Sequence, residues 1–336
     1  MCPDRLGVSF PVELSPPDIG PWRIGNTGVP GFTSFASGLP GPHVMLLCLI
    51  HGNEFAGAIV LDQLLRAKFR PLRGRLTCGF ANLDAFDLFD PENPTASRYV
   101  EADLNRVWSP QVLLRPERAL ELDRAREIRP LLESADLLLD LHSMLWPSDP
   151  LILAGPTASG LALGAALGVP PLVVADHGHQ NGSRLIDHLA FTDQSAGRTA
   201  ILVEGGQHWS QSTVDCLRAS VAALLRLTGL AAPDDPRLPP APEPAAPRIA
   251  LVTTAITASS HEFKFMEPYR GGAIIPWRDT LIARDGTREI RTEYDNCLLV
   301  MPSARPAKGH TAVRLAKFEE TTSFFEKKEA KKLLSD

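Results

Sequence analysis

Short, nearly unbroken apolar runs alternate along the first two-thirds of this chain with stretches of helical periodicity. Val44-Met45-Leu46-Leu47-Cys48-Leu49-Ile50 is the clearest of them. A strand that is apolar at every position has both faces buried, so it lies inside a sheet covered on two sides. The pattern predicts strands at 44–50, 74–81, 135–141, 151–154, 171–175 and 199–204. Between them it predicts helices at 54–68, 115–133, 157–168 and 211–228. Strand–helix alternation of this kind implies an α/β fold with a mixed central sheet covered by helices.

Three stretches depart from the alternation. The first 40 residues are rich in Gly and Pro and show little periodicity. Residues 82–114 read as a long polar loop, and loops of that length in compact domains are usually functional or disordered. Between Ala231 and Pro247, seven of 17 residues are proline, the composition of a stiff linker. The expected organisation is an α/β unit over 1–230, the linker 231–247, a smaller C-terminal β unit (a sandwich or partial barrel) over 248–317 and a charged tail over 318–336. A length of 336 residues suits two domains.

The net charge of −5 carries no basic excess, which argues against a nucleic-acid partner. No apolar stretch approaches the ~20 residues that cross a bilayer, so no membrane role is expected. The N-terminus lacks a charged-then-apolar export signal. The five cysteines are widely spaced and form neither a disulfide framework nor a CxxC metal site. A reduced, cytoplasmic setting is the expectation. A homo-oligomer is left open.

The candidate chemistry sits where the apolar runs end. His51-Gly52-Asn53-Glu54 follows the first run, and His142 closes Leu137-Leu138-Leu139-Asp140-Leu141-His142. Two histidines and a glutamate at strand ends are the three-ligand set of a catalytic zinc site, with a fourth position kept for water. Asp140, two residues before His142, shares its strand face and can orient the imidazole. The run Thr199–Val203 ends in Glu204, and a carboxylate at the end of a core strand is costly unless a partner or a reaction uses it. Near an activated water it can serve as general base and then as proton donor. The long loop carries Arg98, Asp103, Asn105 and Arg106. Guanidinium forks suit a substrate carboxylate or a developing oxyanion. No GxSxG or phosphate-binding glycine motif is present in a strand–helix context.

HGNE, then DLNR in a loop, then DLH, then a strand ending in Glu-Gly resembles the aspartoacylase and succinylglutamate desuccinylase family of the zinc carboxypeptidase clan. The resemblance spans roughly residues 40–230, and the β unit after the linker fits that family's C-terminal domain. It implies one zinc ion per chain on His51, Glu54 and His142, with Glu204 as general acid/base. Arg98, eight residues before Arg106, matches the family's carbonyl-polarising arginine. Asn105 and Arg106 match its carboxylate-binding pair, and Asp103 a residue that orients the loop.

Some positions depart from the family pattern. Gln194 stands where aspartoacylases place a further substrate-binding arginine. Ser143-Met144 follows DLH, and Gly205-Gly206 follows the glutamate. These changes touch the substrate pocket and leave the hydrolytic set intact. The expected function is a zinc-dependent deacylase acting on an N-acyl amino acid or a related small amide. A carboxypeptidase-like peptidase and a non-catalytic binder of a carboxylate ligand are the alternatives. Asp176-His177-Gly178-His179, Arg184, His188 and His208 are further polar groups near these segments. His208 could edge the pocket, although a histidine there more often faces solvent.

Overall fold

The computed structural model describes residues 11–178, 181–243 and 245–319. Most of the charged tail and His179 lie outside the described residues.

Each apolar run becomes a buried strand. The strands in chain order are β1 (Phe32–Ala36), β2 (His43–Cys48), β3 (Arg75–Phe80), β4 (Leu137–Met144), β5 (Leu151–Gly155), β6 (Leu172–Ala175) and β7 (Thr199–Gln207). After the proline-rich stretch come β8 (Arg248–Thr257), β9 (Phe263–Phe265), β10 (Ile274–Ile275), β11 (Leu281–Asp285), β12 (Arg288–Arg291), β13 (Cys297–Val300) and β14 (Thr311–Phe318). Eleven strands form one mixed sheet in the order β1-β3-β2-β4-β7-β5-β6-β8-β14-β13-β10, and β12-β11-β9 form a small antiparallel sheet.

The centre of the large sheet is the parallel set β3-β2-β4-β7. Helices Ala56–Arg66, Ala158–Leu167 and Gln211–Leu227 cover one face through a core that includes Leu61, Leu161 and Leu217. Helix Leu120–Leu132 covers part of the other with Leu122, Ala125, Ile128 and Leu132. Period-2 alternation divides β4 between the two. Leu139 and Leu141 face the first core, while Leu138 faces the second, the side shared by Asp140 and His142.

The chain after the linker does not stand apart from the sheet. β8 pairs in parallel with β6, and β14, β13 and β10 continue from β8 with antiparallel pairing. β1 was hidden by the Gly/Pro-rich composition around it. It pairs antiparallel with β3, from Phe32 opposite Gly79 to Ala36 opposite Arg75.

Helix Ala56–Arg66 approaches the sheet closely at Gly57. A Cβ there would lie 2.9 Å from both Cys48 Cβ and Leu141 Cβ, directly behind the candidate metal residues. Gly57→Val is expected to destabilise the protein by about 1–3 kcal/mol through overpacking. Denaturant unfolding checks this, and an unchanged midpoint would contradict the packing described.

Candidate metal centre

The turn out of β2 is sharp. Leu49 adopts φ 57°, uncommon for a residue with a side chain. Gly52 then passes so close to the next segment that a Cβ would lie 2.3 Å from the carbonyl carbon of Ala85. That contact explains the glycine of HGNE. The backbone N–H of Gly52 also donates to the carbonyl of Arg98 at 3.1 Å, tying the long loop to the motif. His51 and Glu54 lie within this turn, just before the helix begins at Ala56.

His142 and Glu204 are register partners on β4 and β7, so they stand side by side at adjacent strand ends. His51, Glu54 and His142 are all buried, and one donor atom from each lies within 4.8 Å of the others. His51 Nδ1 stands 2.8 Å from Glu54 Oε1, and His142 Nδ1 stands 3.1 Å from Glu54 Oε2. Each ring has a second carboxylate on its far side. His51 Nε2 is 3.1 Å from Asp103 Oδ1, and His142 Nε2 is 2.9 Å from Asp140 Oδ2.

A neutral imidazole has one N–H and one lone pair. With a carboxylate on each side, the lone pair of His142 faces an anion unless the ring is protonated or a cation lies between Nδ1 and Glu54. His51 has the Arg98 guanidinium 2.8 Å from Nε2 as a further partner. Asp103 is placed to accept from His51 Nε2–H, and Asp140 stands in charge contact with His142 Nε2, the kind of carboxylate support a ligating histidine uses. All three donor atoms lie near enough to one another to share a single ion. The buried group could hold a metal.

The local charges respond to the same arrangement. Burial alone would raise the Glu54 carboxyl, but the His51 charge and hydrogen bonds to both histidines hold it well below its usual range. Burial alone would lower His142, but Asp140 and Glu54 drive it well above. Asp103 is also held far below the ordinary carboxylate range: His51 and Arg98 overcome its burial.

Glu204 differs. It is buried, its Oε2 has no hydrogen-bond partner, and burial with the nearby Glu54 charge pushes it up to about 8. Arg98 reaches over the centre, donating to Glu54 Oε1 at 3.0 Å and standing 2.8 Å from His51 Nε2. Asn105 and Arg106 line the same cavity. Burial lowers Arg106 to about 10, so it stays charged at neutral pH.

The long loop keeps its shape through a residue the sequence did not single out. The buried carboxylate of Glu121, in the first turn of helix Leu120–Leu132, accepts from the backbone N–H groups of Val100, Glu101 and Ala102 at 2.6, 3.1 and 3.0 Å. Asn105 Oδ1 accepts from the N–H of Leu185, which fastens the loop to a second one.

That second loop brings Arg184 into the cavity wall, bound to Asp176 and Asp187. His188 turns away, its ring nitrogens contacting the Trp108 carbonyl and Glu133. His177 and Gln194 are exposed. His208, which could edge the pocket although a histidine there more often faces solvent, is buried and lines the cavity. So do Gly271, Met301 and Pro302 from beyond the linker. Only the position of His208, close after Glu204, signalled any of these in the sequence.

A profile of the succinylglutamate desuccinylase/aspartoacylase catalytic domain matches residues 40–228, more than half of the chain. The chain belongs to this family. Solved structures of succinylglutamate desuccinylase from Vibrio parahaemolyticus and from Vibrio cholerae are both similar to this family member at 18% identity. The first has a TM-score of 0.62 and covers 87% of each chain. The second has a TM-score of 0.63, covering 86% of this chain and 85% of its own. The product-bound ectoine utilization protein of Ruegeria pomeroyi is similar at 19% identity and a TM-score of 0.59, covering 85% of this chain and 88% of its own. These likenesses concern the fold. No curated protein matches the chain. No helix among the described residues is long and apolar enough to cross a membrane.

The carboxylate behind His142 generates a prediction for this family member. Asp140→Asn presents an amide where Nε2–H needs an anion, and is expected to weaken metal binding about 10–100-fold. Competition against a chelator measures this, and an unchanged affinity would show that Asp140 does not support a ligand.

Proposed function

We propose that this chain is a zinc-dependent deacylase that hydrolyses the amide bond of an N-acyl amino acid or a related small carboxylate-bearing amide. Family membership supports an amide hydrolase. The observation that carries the metal assignment is that two imidazoles turn Nδ1 onto one carboxylate, each backed by another. Two nitrogen donors and one carboxylate, with room for water, suit zinc. An ion held by His51, Glu54 and His142 would lower the pKa of water at the open position to about 7 and polarise the amide carbonyl.

The protein's own groups carry the proton and the substrate. Glu204, unpartnered at Oε2 beside His142, takes the proton as water attacks the carbonyl carbon. It then returns that proton to the leaving nitrogen. When His51 Nδ1 is occupied, its hydrogen resides on Nε2 and is donated to Asp103. Arg98 then loses Nε2 as an acceptor and is released to stabilise the developing oxyanion. Asn105 and Arg106 hold the carboxylate that the amine portion bears.

The cavity holds about 160 Å3, below the ~300–1,000 Å3 of drug-sized sites, which supports a small amide over a peptide groove. Segment 248–317 closes this pocket onto the hydrolase unit 1–230, with 231–247 running between them. The described cysteines are all free, in keeping with a cytoplasmic setting.

Glu204→Gln is expected to retain the metal and lose turnover by about 10²–10⁴-fold, whereas His142→Ala loses the metal. Normal turnover by the first variant would refute the assignment of the base. The base works only when ionised, so kcat/KM is expected to fall as pH drops through the Glu204 pKa. Without a metal that value is about 8, and a nearby dication favours the carboxylate and moves the limb lower. A pH–rate profile locates the limb, and a limb above 8 would contradict this sign.

A further inference from the structure

The cavity has two unlike walls. Asn105, Arg106 and Arg184 form one, joined by the Leu185 N–H to Asn105 Oδ1 bond and by the Val107–Ser183 bridge. Arg184 takes little part in gripping a ligand. Its Nε donates to Asp187 at 2.8 Å, Nη1 to Asp176 at 3.0 Å, and Nη2 to both carboxylates at 2.6 and 2.9 Å. Most of its donors are spent on its own two aspartates; Arg106, whose Nη1 donates to the Asn105 carbonyl at 2.7 Å, is the guanidinium that the deacylase reading assigns to the substrate carboxylate.

A second set of lining residues, which we take as the other wall, comprises Met144, Trp146, Pro147, Met301 and Pro302 with His208. It is held together by backbone bonds. The N–H of His208 donates to the Met144 carbonyl at 2.7 Å, that of Gly271 to Pro147 at 3.0 Å, and that of Asp149 to Gly271 at 2.9 Å. None of these six is a lysine or arginine; the arginines of the lining are Arg98, which is engaged with Glu54 and His51, and Arg106 and Arg184 of the first set. The two serines of the lining direct their hydroxyls elsewhere: Ser148 Oγ donates to the Asp149 carbonyl at 3.1 Å, and Ser143 Oγ lies 2.7 Å from His208 Nδ1.

The Ser143–His208 bond fixes the imidazole. Ser143 is buried, and the only bond its hydroxyl hydrogen can make is to Nδ1. Leaving that hydrogen unpaired would carry the cost of a buried donor. Nδ1 is thus the acceptor, and Nε2 carries the proton. Nε2 has no protein partner and is not enclosed, so it opens to the cavity. Gly206 has φ 136° and Trp209 φ 59°, and this bent end of β7 carries His208 back over the site.

We propose that His208 is a specificity-determining residue: with Ser143 locking its ring, it offers one neutral N–H from an otherwise apolar wall, so this subsite takes a short, uncharged acyl group and excludes one bearing a second carboxylate. The assignment of this wall to the acyl group rests on the deacylase reading, in which Arg106 holds the amino-acid carboxylate. A succinyl carboxylate placed here would be buried against Met144, Trp146 and Met301 with a single donor, and an underpartnered buried anion is strongly penalised.

The test compares N-acetyl and N-succinyl derivatives of the same amino acids on the zinc-loaded protein. The expected result is a preference for N-acetyl of about 100-fold or more in kcat/KM. His208→Arg supplies the missing cation and is expected to shift the ratio at least tenfold toward N-succinyl. Met301→Arg, on the same wall but outside the Ser143 bond, serves if the first variant does not fold. Equal or better hydrolysis of N-succinyl substrates by the wild type, or an unmoved ratio in a folded arginine variant, overturns the proposal and leaves the hydrolase reading standing. Calorimetric binding of the same pair to the Glu204→Gln protein separates the two ideas. Preferential N-acetyl binding without turnover by the wild type sinks the hydrolase reading alone, and failure to bind either compound sinks both.

Discussion

Glu54 is the group on which the rest of the site turns. Its two oxygens face two imidazoles, and its burial makes any unbalanced charge there expensive. Arg98 supplies one positive charge to Glu54 Oε1 and stands against His51 Nε2, while Asp103 and Asp140 flank the outer ring nitrogens. Three carboxylates thus crowd two imidazoles and one guanidinium, a surplus of negative charge that a bound cation would offset. The arrangement reaches back into the sheet: Asp140 is fully buried in the middle of β4, tolerable only because His142 turns toward it from the same strand face.

Around that centre the scaffold holds groups by non-local contacts. Strand ends supply His142 and Glu204, whose separation is set by the parallel β4–β7 register. The Arg98 loop has no regular ladder of its own. It depends on the Glu121 carboxylate, on the Gly52–Arg98 backbone bond and on the Asn105–Leu185 bond. Sites held on strands are more rigid than sites held on loops. The division suits a fixed metal centre with an arginine that must reorient.

The candidate site residues were legible because they interrupt a simple pattern. His51, Glu54, His142 and Glu204 are polar residues that follow wholly apolar runs, where period-2 burial makes a charged side chain conspicuous. The strands and helices around them follow the same periodicity. Other features depend on contacts that periodicity does not encode. β1 lies in a Gly/Pro-rich segment and becomes a strand because β3 offers an edge. β14 lies at the end of the expected β unit without a run marked as a strand, yet it pairs with both β8 and β13. Arg184 does reach the cavity lining, but nothing in the sequence signalled that Asp176 and Asp187 would take up most of its donors. The continuation of the sheet past the proline-rich stretch was hidden because that composition usually separates units. Its consequence, that Gly271 and Met301 reach the cavity, was hidden with it.

The energetics of Glu204 bear on whether such a site only binds. A buried carboxylate with an oxygen lacking a partner, raised to about 8, is a stability cost in the metal-free protein. A pocket that merely held a carboxylate ligand would gain by replacing it with glutamine, which removes the ionisable charge and avoids repulsion toward an anionic ligand. A proton acceptor that must also become a donor has the opposite requirement. It needs a pKa close to the working pH and an oxygen left uncommitted. Glu204 meets both conditions beside His142, within the wall that confines the substrate. Its cost to the fold is what a catalytic base at that position demands.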